Sequence, residues 1–281
     1  MPKTIFGKTK NEYINETPRS KLRGISTKDL SNNNAASSKV FTLRENKLYN
    51  RMSTKNIQVN NIDEQNPSRK DPVLVVGGLF IVFEGIDGTG KSTQLHLLAE
   101  KLQQLGYAVV STREPTDGPF GQKIRELFVD RGVASQEEEL ELFIADRDQH
   151  VQEVIVPALA DGCVVVCDRY YLSTVAYQGA NGMDTEFIMK KNNDFPVPDL
   201  AIILEIEPAQ GIHRIQNQRN ENPNTFENEA NLRKVAAIFS LMQHPYITRI
   251  DAADSVENVH QQVLSVVEKT LAHKTIQTVR N

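Results

Sequence analysis

The sequence has no run of about 18 apolar residues, the length needed to span a hydrocarbon core, so a transmembrane helix is not expected. It has only two cysteines, Cys163 and Cys167, four apart in one apolar run. That number and spacing give neither a disulfide framework nor a metal-ligand set; the expectation is two buried thiols in a reducing compartment. The opening MPKTIFGKTK has no apolar centre and no small-residue cleavage site, so it is not expected to act as a secretory signal. A cytoplasmic location is the resulting default. What is present fits a globular chain: 281 residues, 24 % charged, 39 % hydrophobic, net charge −4, a length that allows one or two domains.

The charge is unevenly divided. Residues 1–72 hold 14 of the 32 basic and 7 of the 36 acidic residues, a net of +7, against −11 for the other 209. This segment is rich in Asn, Ser, Lys and Thr (SNNNAASSK, NIQVNNIDEQN) and shows no sustained apolar period. Such a composition buries too little surface to offset chain entropy, so residues 1–72 are expected to form a disordered basic extension. Val40 to Met52 is the one stretch whose apolar residues suit a short helix. Glu12 and Glu16 argue against an organelle presequence. The diluted positive charge, without interleaved aromatics, argues against nucleic-acid binding.

From Val73 the texture changes. Runs rich in β-branched residues (LFIVFEG, YAVVSTREP, CVVVCDRY, LAIILEIEP, YITRIDAA) alternate with stretches of helical spacing. That alternation predicts an α/β layered fold with a parallel sheet covered on both faces. Ligands of such sheets bind at the carboxyl ends of the strands. The runs end in Asp87, Arg113 and Glu114, Asp168 and Arg169, Glu207 and Asp251.

After the first run stands Gly85-Ile86-Asp87-Gly88-Thr89-Gly90-Lys91-Ser92, then Thr93, a full match to G-x-x-x-x-G-K-[ST] between a predicted strand and an apolar-periodic helix (Leu95, Leu98, Leu102, Leu105). In such a loop the glycines let backbone N–H groups wrap phosphates, and the helix N-terminus adds favourable partial charge. Lys91 is placed to neutralise the β- and γ-phosphates, and the Ser92 hydroxyl to ligate Mg²⁺. No N-K-x-D occurs, so a guanine-specific GTPase is not indicated. Asp168, ending the third run, suits a second carboxylate for Mg²⁺, and Arg169 beside it suits a phosphate, although an Asp–Arg surface pair is the alternative. Arg113 ends the second run and could be a solvated turn residue. Between the second and third runs one long helix is predicted, with Ser135 as N-cap and Glu138 completing a capping box. Its apolar stripe is Leu140, Phe143, Ile144, Val151, Val154 and Ile155, and Arg147 falls on it. A cation there needs an anionic or hydrogen-bonding partner, and pairing with an internal carboxylate is the alternative to a ligand. Phe143 suits either core packing or stacking on a base.

Taken together, residues 78–270 resemble the thymidylate kinase family of P-loop nucleoside-monophosphate kinases. The resemblance rests on FEGIDGTGKSTQ (83–94), TREP (112–115), LFIADR (142–147), CDRYYLSTVAYQGA (167–180), PDLAIILEIEP (198–208), FEN (226–228) and RIDAADSVENV (249–259), in order. It implies a three-layer α/β/α fold with a mostly five-stranded parallel sheet and a small lid. It implies a kinase domain over 73–275, the lid at about 214–232, and a flexible end at 276–281. The activity implied is phosphoryl transfer from ATP-Mg²⁺ to dTMP, in a homodimer. Asp87 would meet the deoxyribose 3′-hydroxyl, and Arg113 and Arg169 the acceptor's phosphate. Phe143 would stack on thymine, and Arg147 would donate to a thymine carbonyl. Ser173, Tyr177 and Gln178 would close the pocket.

The sequence departs from that family in its lid stretch, RIQNQRNENPNTFENEANL (214–232). Arg219 matches the first lid arginine, but Asn224-Thr225 replace the usual Asp-Arg, and the P-loop centre, Gly88-Thr89, carries no arginine. A γ-phosphate arginine is therefore Arg219, or Arg214 behind it. Two other readings stand beside dTMP phosphorylation: a related kinase with another acceptor, and a catalytically weakened nucleotide-binding protein. Methyl recognition by an apolar pocket discriminates only about 10–200-fold, so dUMP is an expected weak acceptor.

Overall fold

The computed structural model describes residues 72–129, 134–219 and 229–279, without the side chains of 129, 217–219 and 275–279. The extension expected over 1–72, with its short helix, lies outside the described residues except for Pro72.

Five strands form one all-parallel sheet: β1 (Leu79–Glu84), β2 (Val109–Arg113), β3 (Val164–Asp168), β4 (Leu200–Glu205) and β5 (Ile247–Asp251), in the order β2-β3-β1-β4-β5. These are the five β-branched runs read from the sequence. The helices between them are α1 (Lys91–Gln104), α2 (Pro119–Val129), α3 (Gln136–His150), α4 (Val156–Ala160), α5 (Tyr171–Ala180), α6 (Thr185–Lys191), α7 (Pro208–Arg219), α8 (Glu229–Leu241) and α9 (Val256–Val279). Alternation along each strand sends side chains to two apolar layers. Leu79, Ile81 and Phe83 cluster with Leu95, Leu98 and Leu102 of α1 and Val259, Val263 and Val267 of α9. Phe80 and Val82 face the other layer, with Leu172 of α5 and Leu232, Val235 and Phe239 of α8. The result is a three-layer α/β/α fold. Among the described residues no helix is long and apolar enough to cross a membrane.

Two expectations need correction. The single long helix predicted after Ser135 is three segments: α3, a π-helical turn at Val151–Ile155, and α4. Val156 N–H donates to the Val151 carbonyl, five residues back, and Pro157 next to it has no N–H with which to continue the α-helical ladder. A further helix, α2, precedes them. At the other end, α9 continues to Val279. No glycine or proline interrupts TIQTV to stop it.

The capping box is present as read. Ser135 Oγ accepts from Glu138 N–H at 3.2 Å, and Glu138 Oε2 accepts from Ser135 N–H at 2.8 Å. The helix it starts carries Phe143 and Arg147. Ser135→Ala is expected to lower stability by about 1 kcal/mol, measured as a lower denaturant midpoint at unchanged m-value.

Candidate active site

At the carboxyl edge of β1 the chain turns through Gly85, Gly88 and Gly90, all at positive φ (128°, 83° and 89°), and enters α1. A side chain at Gly88 has no room: its Cβ would stand 2.2 Å from the Gly211 carbonyl oxygen in α7. A Cβ on Gly211 would in turn stand 2.7 Å from the Asp87 carbonyl oxygen. No side chain caps the first turn of α1, so its N–H groups are available to an anion. Lys91 is buried and donates to the Ile86 carbonyl at 2.8 Å, as does the Thr89 hydroxyl at 3.0 Å. Burial, then the Arg169 charge, brings the Lys91 ammonium down to about 8, against the pull of Asp87, Asp168 and Glu84. Thr93 is exposed on the first turn of α1 and Ile86 is buried beneath the loop.

Asp168, at the end of β3, accepts from Ser92 Oγ at 2.5 Å through Oδ2. Its Oδ1 is buried without a hydrogen-bond partner among the described residues. A hydroxyl and a carboxylate oxygen still lacking a partner suit a magnesium ion, which typically takes one or two carboxylates and completes its shell with water and phosphate oxygens. Among the described residues no group of three or more acidic, His or Cys side chains forms a self-sufficient metal cage.

Arg169 sits at φ 70° with its N–H on the Phe83 carbonyl, which turns its guanidinium over the P-loop. It donates to Asp87 Oδ1 at 2.5 Å, to Ser173 Oγ at 3.0 Å, to the Gly85 carbonyl at 3.2 Å and to the Tyr177 hydroxyl at 3.3 Å. Tyr177 donates to the other Asp87 oxygen at 2.7 Å. Burial would raise the Asp87 carboxyl, but the Arg169 and Lys91 charges outweigh it and hold it at about 2. Behind this pair Glu84 is fully buried, accepting from Ser173 Oγ and from Tyr170 N–H at 3.0 Å. Burial pushes its carboxyl up to about 7 despite the Ser173 hydrogen bond and the Arg169 charge.

Other predicted residues stand apart from this cluster. Arg113 pairs in register with Asp168, but its 63 % exposed guanidinium is held by Asp117 at 2.7 Å. Arg147 is 1 % exposed and paired with Glu114, the internal carboxylate that the sequence left open as its partner. Phe143, one turn before it, is half-buried and outside the core clusters. Gln178 is 1 % exposed, with both amide atoms lacking a partner among the described residues. The side chain of Arg219 lies outside the described residues, whereas Arg214 lines the cleft.

That cleft, about 540 Å³, is bounded by the P-loop, Asp168 and Arg169 on one side and by Arg214, Ala252, Asp254, Ser255 and Val256 on the other. The sequence reading missed the wall between β5 and α9, and also Glu84, His150, Thr174 and Asn192, and it named Glu114 only as a strand-exit residue. Glu84 was findable in principle, since it is an acidic residue at a strand exit next to a buried apolar run.

A cradle of free N–H groups, a buried lysine and an arginine at the next strand exit define a P-loop phosphotransferase. The comparisons narrow the class. Residues 83–263 match the sequence profile of the thymidylate kinase family. The chain is 48 % identical over 194 residues to a thymidylate kinase of Desulfotalea psychrophila, covering 69 % of this chain and 96 % of that protein. To the thymidylate kinase of Xanthomonas campestris pv. campestris it is 42 % identical over 201 residues, covering 72 % and 88 %. The chain belongs to the thymidylate kinase family.

Glu84 provides a test of the site's electrostatics. Its carboxyl is raised from 4.5 in the unfolded reference to about 7 in the fold. The stability it contributes is therefore complete below about pH 4.5 and is lost as pH rises through about 7. Urea unfolding across this range is expected to show a steeper fall with pH in the wild type than in Glu84→Gln. Identical slopes would mean that Glu84 ionises alike in both states.

Proposed function

We propose that this protein transfers the terminal phosphoryl group of ATP to dTMP, giving dTDP and ADP. The observation that supports it most directly is membership of the thymidylate kinase family over 83–263, with Lys91, Asp168 and Arg169 gathered on the P-loop. A phosphate oxygen of dTMP attacks the γ-phosphorus, a new P–O bond forms, and the bond to the β-phosphate oxygen breaks. The attacking oxygen is already anionic, so no general base is required. Catalysis is alignment and charge neutralisation.

In this reading the N–H groups of Gly88 to Ser92 hold the donor's phosphates, and Lys91 neutralises their developing charge. Mg²⁺ would be held by Ser92 and Asp168, and would supply charge neutralisation between the donor's phosphates. Arg169 exchanges part of its hold on Asp87 for the acceptor's phosphate, and Arg113 turns inward from Asp117 to join it. Asp87, still ionised far below neutral pH, takes the 3′-hydroxyl while Tyr177 and Ser173 keep the pocket's shape. Phe143 offers its half-buried ring to the base, and Arg147 and Gln178 its polar contacts. The lid arginine is Arg219, with Arg214 already beside the cleft. We place the kinase domain at 73–275, its lid at 214–232, and the 1–72 extension outside it. A homodimer in the cytoplasm is the working assembly.

An ADP-release assay across acceptors tests this. dTMP is expected to be the best acceptor, dUMP weaker, dCMP and thymidine poor; thymidine outperforming dTMP would refute a monophosphate site. Lys91→Ala and Arg169→Ala are each expected to lose about 10³-fold or more in kcat, and near-normal rates in either would sink this mechanism. Arg219→Ala should lower kcat with the KM for dTMP little changed. If it does not, the lid role passes to Arg214.

A further inference from the structure

Four elements converge on one buried side chain. Arg147, on α3, donates through Nε and Nη2 to Glu114 Oε2 at 3.0 and 2.7 Å. Nη2 also donates to Thr174 Oγ1 of α5 at 3.0 Å, and Nη1 to Asn192 Oδ1, just after α6, at 2.5 Å. A guanidinium has five N–H donors. Four are used here, and the second hydrogen on Nη1 has no partner among the described residues.

The acceptors are themselves fixed. The other Glu114 oxygen meets His150 Nδ1 at 3.0 Å, and His150 Nε2 meets the Thr112 hydroxyl at 2.7 Å. Asn192 Nδ2 donates to the Ile188 carbonyl at 2.8 Å, which keeps the amide oxygen, not the nitrogen, toward Arg147. The rings of Tyr170 and Phe195 stand 5.1 and 5.8 Å from Cζ. Asn192 and His150 are each 3 % exposed. Arg147 is therefore held from four sides, with one Nη1 hydrogen left for a further acceptor among the described residues.

Gln178 lies one turn beyond Thr174 on α5, with its amide nitrogen and oxygen both lacking partners among the described residues. A primary amide can turn over and offer either a donor or an acceptor. Gln178 can therefore serve a base edge bearing a carbonyl or one bearing an amine. A guanidinium only donates. A mobile arginine could swing away from an amine and relieve the donor–donor clash, whereas a locked one must meet it, and specificity of this kind comes from the unavoidable penalty on the wrong ligand.

We propose that Asn192 and His150 are positioning residues for acceptor selectivity. Asn192 locks Arg147 directly and His150 locks it through Glu114. The site thereby accepts a pyrimidine nucleoside monophosphate that presents a ring carbonyl to Arg147 and rejects one that presents an amine. This rests on the reading of Arg147 as a contact to the acceptor's base.

The test is kcat and KM for dTMP and for dCMP on the full chain, with thermal unfolding of each variant. Asn192→Ala and His150→Phe are expected to raise the KM for dTMP, leave kcat within about twofold, and shrink the dTMP-to-dCMP ratio of kcat/KM about tenfold, the scale of one misplaced contact. Asn192→Asp, which keeps an oxygen toward Nη1, is expected to retain most of the ratio. If Asn192→Ala does not fold, Asn192→Gln displaces the same amide by one methylene and is read in the same way. A ratio unchanged from wild type in folded position-192 and His150→Phe variants overturns the proposal, even where their melting temperatures fall. Arg147→Ala separates the two layers of inference. If it leaves both kcat/KM values unchanged, the base contact fails and the lock with it. If it collapses the ratio while the Asn192 and His150 variants do not, only the lock is overturned.

Discussion

The ion pair between Glu114 and Arg147 ties together four elements of the fold. Both side chains are almost wholly removed from water, at 4 % and 1 % exposure. Taking such charges out of water is tolerated only when each is matched and its remaining donors and acceptors are used. That requirement is met by Thr174, Asn192 and His150, drawn from α5, the end of α6 and the end of α3. The end of β2, α3, α5 and α6 are thus held at one charge, where apolar packing alone would permit them to slide. The adjoining contact of Asp146 with the Thr116 backbone N–H, at 2.8 Å, fixes the turn that follows Glu114 in the same way.

The Asp87–Arg169 pair is different in kind. Its members retain 23 % and 18 % exposure, so they keep access to solvent and to a ligand. One arginine holds four of its five N–H donors on buried partners, and the other holds partners that are nearer to solvent. The distinction follows from position. Arg147 is in the last turn of α3, with partners on α5 and at the end of α6, whereas Arg169 is at a strand exit, where a left-handed backbone turn aims it at the loop edge.

The fold was legible because its signals are local. Runs such as LFIVFE and CVVVCD have the length and branching of buried parallel strands, and the phosphate loop depends on glycines that occupy required backbone conformations. The cap at Ser135 was equally readable, since it involves residues three apart. What sequence could not show was which polar groups meet across the fold. Glu114 and Arg147 are 33 positions apart, Arg147 and Asn192 are 45, and Asp87 and Arg169 are 82. Periodicity placed Arg147 on a buried stripe and demanded a partner for it, but only the fold, which brings the turn after β2 against α3, selects Glu114. The break of the predicted long helix was hidden for another reason: Pro157 is tolerated near a helix start, and the π-helical turn before it leaves the apolar spacing nearly intact.

One contact bears on how such a machine can move. The backbones of Gly88 and Gly211 approach with no side chain between them, so the phosphate loop and the first turn of α7 share a close-packed seam. A close-packed seam leaves little room for relative movement there, whereas Arg214, about one turn further along α7, lines the cleft that the loop bounds.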